Sequence, residues 1–546
     1  MRLIYAEREA MSKIATYLNE HLMGEVVNNG QDLQAASTDR SQLLQEPEMI
    51  AHVASTSDIR KIARFCWQLA EKGHSLSLTA RGHGSDITGA AVGTGIVISP
   101  IKYMHRVMGI DPRLRLVHMQ AGAPYDGANM TLSTHKGMML PSTSFTGTSG
   151  SLGGAIASGS AGYFSARYGT VGQSVQQLEV VLANGDVLQT ERLAKNKVNA
   201  KKGLHTMEGE VYRKIDNLIT DNHELIQSLA KGPRHDTAGY RGIVDVKRKD
   251  GSIDLTPLFV GSQGSLGIIT EAIMRSQFQH PDAAVVIAAY SDFSDAQAAA
   301  DVAMTAKAAA VELIDGRLLR RAALQGKKRD FAPEEAYTGG IVIAIFDAFA
   351  ESGRLRPAKK LEKDLVKTGN AVKISLKHCH VTDLADVHSI LEVAAQPSQP
   401  NNIVPGAFSG LWLPTVQLDS FLGELRKIEA EHALPLPIFA DISSGFLDIL
   451  PVLDMKKVSD RQKLIKALTA ISQIVSKQGG SMSGRGGDGR LKAVTSQASF
   501  DDEVTELYRQ IKEIFDPHNI LNPGVKQPIS AKDLASQINA WCRAKN

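Results

Sequence analysis

Cysteine is nearly missing: 546 residues contain three, Cys66, Cys379 and Cys542. Thiols so few and so far apart exclude a disulfide framework and leave no C-x-x-C cluster for an iron–sulfur centre; they suit a reducing cytoplasm. An excess of one charge is missing too. With 61 basic against 58 acidic residues and a net charge of +3, composition gives no argument for nucleic acid or an anionic membrane as partner. Long apolar runs are also lacking, since no window approaches the ~18 residues of a membrane helix. The opening stretch MRLIYAEREAMSKIATYLNEHLMGEV scatters charges where a signal peptide has its apolar core. The expected location is the cytoplasm, with a peripheral membrane contact left open.

Hydrophobic residues at 43% and charged residues at 22% are those of a soluble globular protein. The length suggests about two to four domains.

Glycine, in contrast, is concentrated. The run PSTSFTGTSGSLGGAIASGSAGYFSARYGTVGQSV spans Pro141 to Val175. Gly and Ser bring little apolar area, and ordering glycine costs the most backbone entropy, so such a run needs something else to order it. A large anionic ligand does so, because it requires close backbone approach and many N–H donors. A flexible linker is the competing explanation, but Leu152, Ile156, Phe164, Tyr168 and Val171 interrupt the run as a solvated linker would not. Two further glycine loops, RGHGSDITGAA (Arg81–Ala91) and VGSQGSLGIITEA (Val260–Ala272), adjoin apolar strand-like segments. None contains G-x-x-x-x-G-K-[ST], and none runs as G-x-G-x-x-G from a strand into a helix, which removes support from nucleotide triphosphatase and Rossmann readings.

In this order and spacing the three loops resemble the FAD-binding domain of the vanillyl-alcohol oxidase and p-cresol methylhydroxylase superfamily, in its branch of D-lactate, glycolate-oxidase-subunit and D-2-hydroxyglutarate dehydrogenases. The C-terminal IKEIFDPHNILNPGVK is similar to the segment with which these proteins end. The resemblance implies an α+β fold: a two-subdomain FAD-binding domain of the p-cresol methylhydroxylase type and an α+β substrate (cap) domain with an antiparallel sheet. Expected boundaries are 1–45 for an N-terminal helix and lead-in, 46–277 for the FAD domain, 278–500 for the cap, and 501–546 for a C-terminal helix and tail returning to the FAD domain. The last twenty residues read as a short polar helix.

The resemblance also assigns cofactor contacts. From the first loop these are Arg81, Gly82, His83, Gly84, Ser85 and Asp86; from the second, Pro141, Ser151, Gly153, Gly154, Ser158, Gly162, Tyr168 and Gly169; from the third, Gly264, Gly267, Ile268 and Ile269; and from the terminal segment, Asn522. Arg81 either adds charge for the pyrophosphate or forms a surface ion pair. Relatives with covalent flavin carry a histidine where Ser85 stands, so non-covalent FAD is expected. Asp39 and Arg40 either lie near the flavin or belong to a connecting loop, and Tyr240 either lines the ring or packs.

The chain departs from the branch where chemistry is expected. Oxidising a 2-hydroxy acid calls for a hydride acceptor, a base, a cation for the carboxylate and often a metal. The family's two metal histidines, in a segment like GHxGDGNLH, fall here on Asp441 and Asp448 of FADISSGFLDILP. In GGSMSGRGGDGRL, Arg485 and Gly486 replace the glutamate and histidine of GEHG. The usual carboxylate-binding arginine is not recognisable, and VHSILEVAAQ (387–396) stands in its place. No metal is assigned. Arg485 either clamps a carboxylate or fills the former metal site and pairs with Asp441 or Asp448. The catalytic candidates are Arg485, Asp441, Asp448 and His378, with His380 beside the last. The expected function is hydride transfer from a small hydroxylated substrate, a 2-hydroxy acid such as D-lactate or glycolate, to flavin N5. The expected partners are that substrate and an electron-accepting protein or quinone instead of NAD, with a homodimer left open. The alternative is a flavin-binding subunit without dehydrogenase activity, a structural or relay component of a complex.

Overall fold

A computed structural model describes residues 2–135, 137–143, 150–396, 399, 402–497 and 499–544. Part of the second glycine loop, residues 144–149, therefore lies outside the described residues.

Three sheets carry the chain. In a four-stranded sheet of order Glu25–Val27, Met49–His52, Ile96–Ser99, Leu78–Ala80, the first pair is antiparallel and the others are parallel. The parallel pairing follows from the helix Thr56–Glu71 crossing between strands. Its Ser55 cap accepts from Asp58 N–H, and its apolar stripe buries Ile59, Ile62 and Cys66. Cys66 is therefore a core residue, and burial pushes its thiol up to about 12. A five-stranded antiparallel sheet follows, of order Val107–Asp111, Leu116–Gln120, Ile268–Arg275, Val175–Val181, Val187–Thr190. The excursion between its strands is helical, over Lys195–Lys202, Met207–Asp221 and His223–Ala230.

The third sheet has seven antiparallel strands, in the order Ala371–His380, Asp282–Tyr290, Gly340–Phe346, Ala310–Asp315, Ile438–Asp441, Phe446–Ile449, Leu411–Trp412. Strand Asp282–Tyr290 is buried from Ala283 on and almost wholly apolar there, because both its faces are covered. Val286 and Ala288 belong to one core cluster with residues of the helices Phe293–Thr305, Glu351–Thr368, Leu418–His432 and Val458–Lys477. Val285 and Ile287, on the opposite face, belong to a second cluster with residues of the helices Gly316–Leu324 and Leu384–Ala394 and with Ala161 and Phe164 of the second glycine run. That run thus reaches across to the cap sheet.

After the helix Asp502–Phe515, Leu521 bridges to Leu78 of the first sheet. The last helix, Ala531–Ala544, differs from expectation. It is amphipathic, since Leu534, Ile538 and Cys542 recur at four-residue spacing on one face, and that face is buried in the cluster that covers one side of the seven-stranded sheet. No helix among the described residues is long and apolar enough to cross a membrane.

Candidate functional site

The three glycine loops converge on one cavity of about 250 Å³ whose far end is closed by the seven-stranded sheet. Of the sequence-assigned contacts, Arg81, Gly82, His83, Gly84, Ser85, Asp86, Ser151, Gly153, Gly154, Ser158, Gly264, Gly267, Ile268 and Ile269 line it, and so does Arg40. Close backbone approach explains the glycines. A Cβ on Gly82 would run into Ser151 Oγ, and one on Gly153 would lie 2.8 Å from Ala121 Cβ. Gly84 (φ +69°) and Gly264 (φ +74°) occupy the left-handed region that favours glycine. A lining of small residues, serine hydroxyls, Arg40 and His83 matches a long ligand with anionic and hydroxylated parts, and so fits FAD.

Five assigned residues do other work. Pro141 accepts from the Tyr125 hydroxyl at 2.8 Å. Gly162 accepts from the Ser165 hydroxyl, and Gly169 turns the chain at φ +82°. Tyr168 donates to Asp347 in the cap domain, beside the Arg167–Asp347 ion pair at 3.0 Å. Asn522 is a buried clasp: its Nδ2 donates to the carbonyls of Ala90 (2.8 Å) and Gln263 (2.7 Å), joining the first loop to the third.

Two loop side chains shape the site from behind. The Arg81 guanidinium, at the cavity wall, donates to the carbonyls of Thr38 (2.9 Å), Ala91 (2.9 Å) and Ala35 (3.1 Å). Asp86 Oδ1 accepts from Thr88 N–H, Thr88 Oγ1 and Ala90 N–H. Asp39, enclosed and facing Asp86, is pushed up to about 7 by burial first and that charge second. Tyr240 packs: its ring meets Tyr508 edge-on, and its hydroxyl lies 2.9 Å from Ser265 Oγ.

At the sheet end the cavity is lined by Ser409, Asp448, Leu450, Arg485 and Gly486 among others. Arg485 Nη2 donates to both Asp448 oxygens, at 2.8 and 2.6 Å, and Gly410 N–H donates to Asp448 Oδ1 at 2.6 Å. Asp441 does not join this pair. Its carboxylate accepts from the hydroxyls of Ser443 and Ser444, each at 2.5 Å, and burial pushes it up to about 6. Among the described residues, no group of three or more His, Cys, Asp or Glu could hold a metal ion. The structure does not bring His378 to the site. It is exposed on the edge strand Ala371–His380, with three strands between it and Ile438–Asp441.

Several buried groups escaped the sequence reading. Glu312, directly opposite Asp441 in register, holds His388 Nε2 at 2.9 and 2.8 Å, and the Tyr163 ring stacks on that imidazole at 4.5 Å. His388 lies in the segment where a carboxylate-binding arginine is missing. Gln263 joins the third loop to the first and to the arginine loop, through Thr88 Oγ1 (2.9 Å), Gly486 O (3.2 Å) and Gly489 N (2.8 Å). In that last loop Asp488 pairs with Lys526, both fully enclosed, while Arg490 and Lys492 are buried on carbonyl oxygens. The available signal was GRGGDGRLK itself, four charges between glycines in a segment already placed at the site.

Comparison with known proteins agrees with this architecture. An FAD binding domain matches residues 47–191, and the C-terminal domain of FAD linked oxidases matches residues 411–525. D-2-hydroxyglutarate dehydrogenase of Escherichia coli (strain K12) is 26% identical over 92% of this chain and 50% of its own length. The chain thus spans about half the length of that relative. The glycolate oxidase subunit GlcD of Bacillus subtilis (strain 168) is 24% identical over 90% of this chain and 91% of its own. Among solved structures, 4-ethylphenol oxidase from Gulosibacter chungangensis shares the fold at a TM-score of 0.64 and 15% identity, covering 96% of this chain and 98% of that one.

Proposed function

We propose, on the premise that the chain joins an FAD binding domain to the C-terminal domain of FAD linked oxidases, that it oxidises a small hydroxylated acid of the 2-hydroxy-acid class and passes the electrons to an acceptor other than NAD. The observation that carries this reading is the Asp448–Arg485 pair, set by the cap sheet at the end of the cavity that the glycine loops open. FAD, when bound, supplies the two-electron acceptor for the hydride. The chain's own residues do the rest. The glycine loops hold the cofactor's phosphates and hydroxyls, without a covalent bond, since Ser85 takes the place of the linking histidine. Arg485 binds the substrate carboxylate, for which its planar guanidinium is matched. As the substrate takes over the arginine, Asp448 is released to accept the hydroxyl proton. The cap and FAD regions divide near residues 277 and 500.

A second reading, a flavin-binding subunit without dehydrogenase activity, is favoured by a different feature of the same pair. Arg485 is already engaged by both Asp448 oxygens, and Gly486 offers no side chain. Anaerobic bleaching of the bound flavin by a panel of D- and L-2-hydroxy acids, alditols and aldonolactones decides between them. Bleaching by a hydroxy acid that Arg485→Ala weakens through KM, and Asp448→Asn through kcat, is the expected outcome. Flavin that is present, released by acid and bleached by none of the panel establishes the second reading.

A further inference from the structure

Residues Arg485 to Lys492 turn four charged side chains inward. Three have their charge matched: Arg485 by Asp448 and Asp488 by Lys526 through direct ion pairs, and Arg490 by facing Asp39 and Asp86. Lys492 is different. Its side chain is fully enclosed, and its Nζ donates to the carbonyls of Ser409 and Met482. An ammonium held in the interior by neutral carbonyls stays charged only at a desolvation cost.

Its position makes that cost useful. Ser409 lines the cavity, and the next residue, Gly410, donates its N–H to Asp448 and accepts from Arg485 N–H at 3.1 Å. Lys492 therefore holds the turn that holds the ion pair. It also leaves the cavity end with one positive charge in excess. The charged groups facing it are Arg485, Asp448, Asp488 and Asp86. Asp448 and Asp488 have cations of their own, and Asp86, with Asp39 beside it, already faces both Arg81 and Arg490.

We propose that Lys492 makes this end of the cavity a receptor for one carboxylate, its buried charge balancing the ligand's while Arg485 makes the contact. This rests on the substrate end assigned above. Lys492 is a positioning residue, acting through the Ser409–Gly410 turn and through its field. A monocarboxylate neutralises the excess charge, a neutral ligand leaves it, and a dicarboxylate reverses it.

The sign of the pH dependence follows. Burial lowers Lys492 to about 8, so the excess charge is present below that pH and is lost as pH rises through it. Carboxylate affinity falls over the same range.

The test is ligand binding to the FAD-loaded full chain, read from the absorbance of the bound flavin, with oxamate (one negative charge), malonate (two) and neutral lactamide as probes. Expected are binding of oxamate in preference to both others, and about tenfold weaker oxamate binding at about pH 9 than at about pH 7. Lys492→Met should weaken oxamate about tenfold at the lower pH and abolish the pH dependence, which Lys492→Arg should also flatten while keeping the affinity. A flat wild-type profile, lactamide or malonate binding as tightly as oxamate, or a Lys492→Met protein with unchanged oxamate affinity and a shifted flavin potential would each overturn the proposal. The wild-type profile and the probe ranking need no variant, so a misfolded substitution does not protect the proposal. Oxamate binding with the expected profile in a protein whose flavin no substrate bleaches would sink the dehydrogenase reading and leave the receptor standing.

Discussion

At one end of the cavity the wall is backbone, and it comes close because Gly82, Gly153 and Gly267 have no side chain to prevent it. At the other end the wall is side chain. Asp448 and Arg485 line it, and Asp488, Arg490, Lys492 and Lys526 are buried off the cavity, held by ion pairs and carbonyl oxygens. The two ends therefore tolerate opposite changes. Packing should make the glycine end refuse added volume, and desolvation should make the sheet end refuse the loss of a countercharge. The first suits a cofactor that stays in place, and the second suits a small ligand recognised by its charge.

The largest expected effect lies at the charged end. Lys526→Met leaves Asp488 buried without its cation, and stability measured by chemical denaturation should fall by about 3–5 kcal/mol. Adding Asp488→Asn should recover most of it, since removing both charges removes the penalty. A double variant no better than the single one would break the comparison, because the loss would then come from packing. Next is volume at the glycine end. Gly153→Val should cost about 1–3 kcal/mol from overpacking against Ala121 and empty the FAD site, seen as loss of the yellow complement with the far-ultraviolet spectrum retained. A full complement of flavin in that variant would contradict the role given to the loop. The smallest effect concerns Asp441. Burial raises it from 3.8 to about 6, so the folded state holds its proton more tightly than the unfolded chain, and stability grows as pH falls through that window. The slope is at most about 1.4 kcal/mol per pH unit. Asp441→Asn should flatten it, and an unchanged slope would assign the effect to another carboxylate.

The glycine end was the more legible one. A requirement for small residues and positive φ is local, so it is written in consecutive letters, as in RGHGSDITGAA and SLGGAIAS. The Asp448–Arg485 pair was one of two readings open for Arg485, and geometry chose between its two possible acids. Asp448 faces the cavity from strand Phe446–Ile449, whereas Asp441 is closed off by its own turn serines. His378 looked as able to act as any other histidine, because nothing local says that its strand ends up at the sheet's edge. Lys492 was invisible for a related reason: charges spaced by glycines read as a solvated turn, and burial comes only from Ser409 and Met482 closing over it.

By itself, the amino-acid sequence determined the α+β class, the three cofactor loops and their order, and the loss of the family's histidines, because each depends on residue type within a short span. The tertiary structure decided which charges are buried and which residues face one another. Gln263 meets Gly489, and Thr237 meets Ser483, across separations of 226 and 246 residues. Whether an ammonium or a carboxylate keeps its charge depends on water and on partners brought from that distance. The enclosure of Lys492 is thus a property of the folded chain alone.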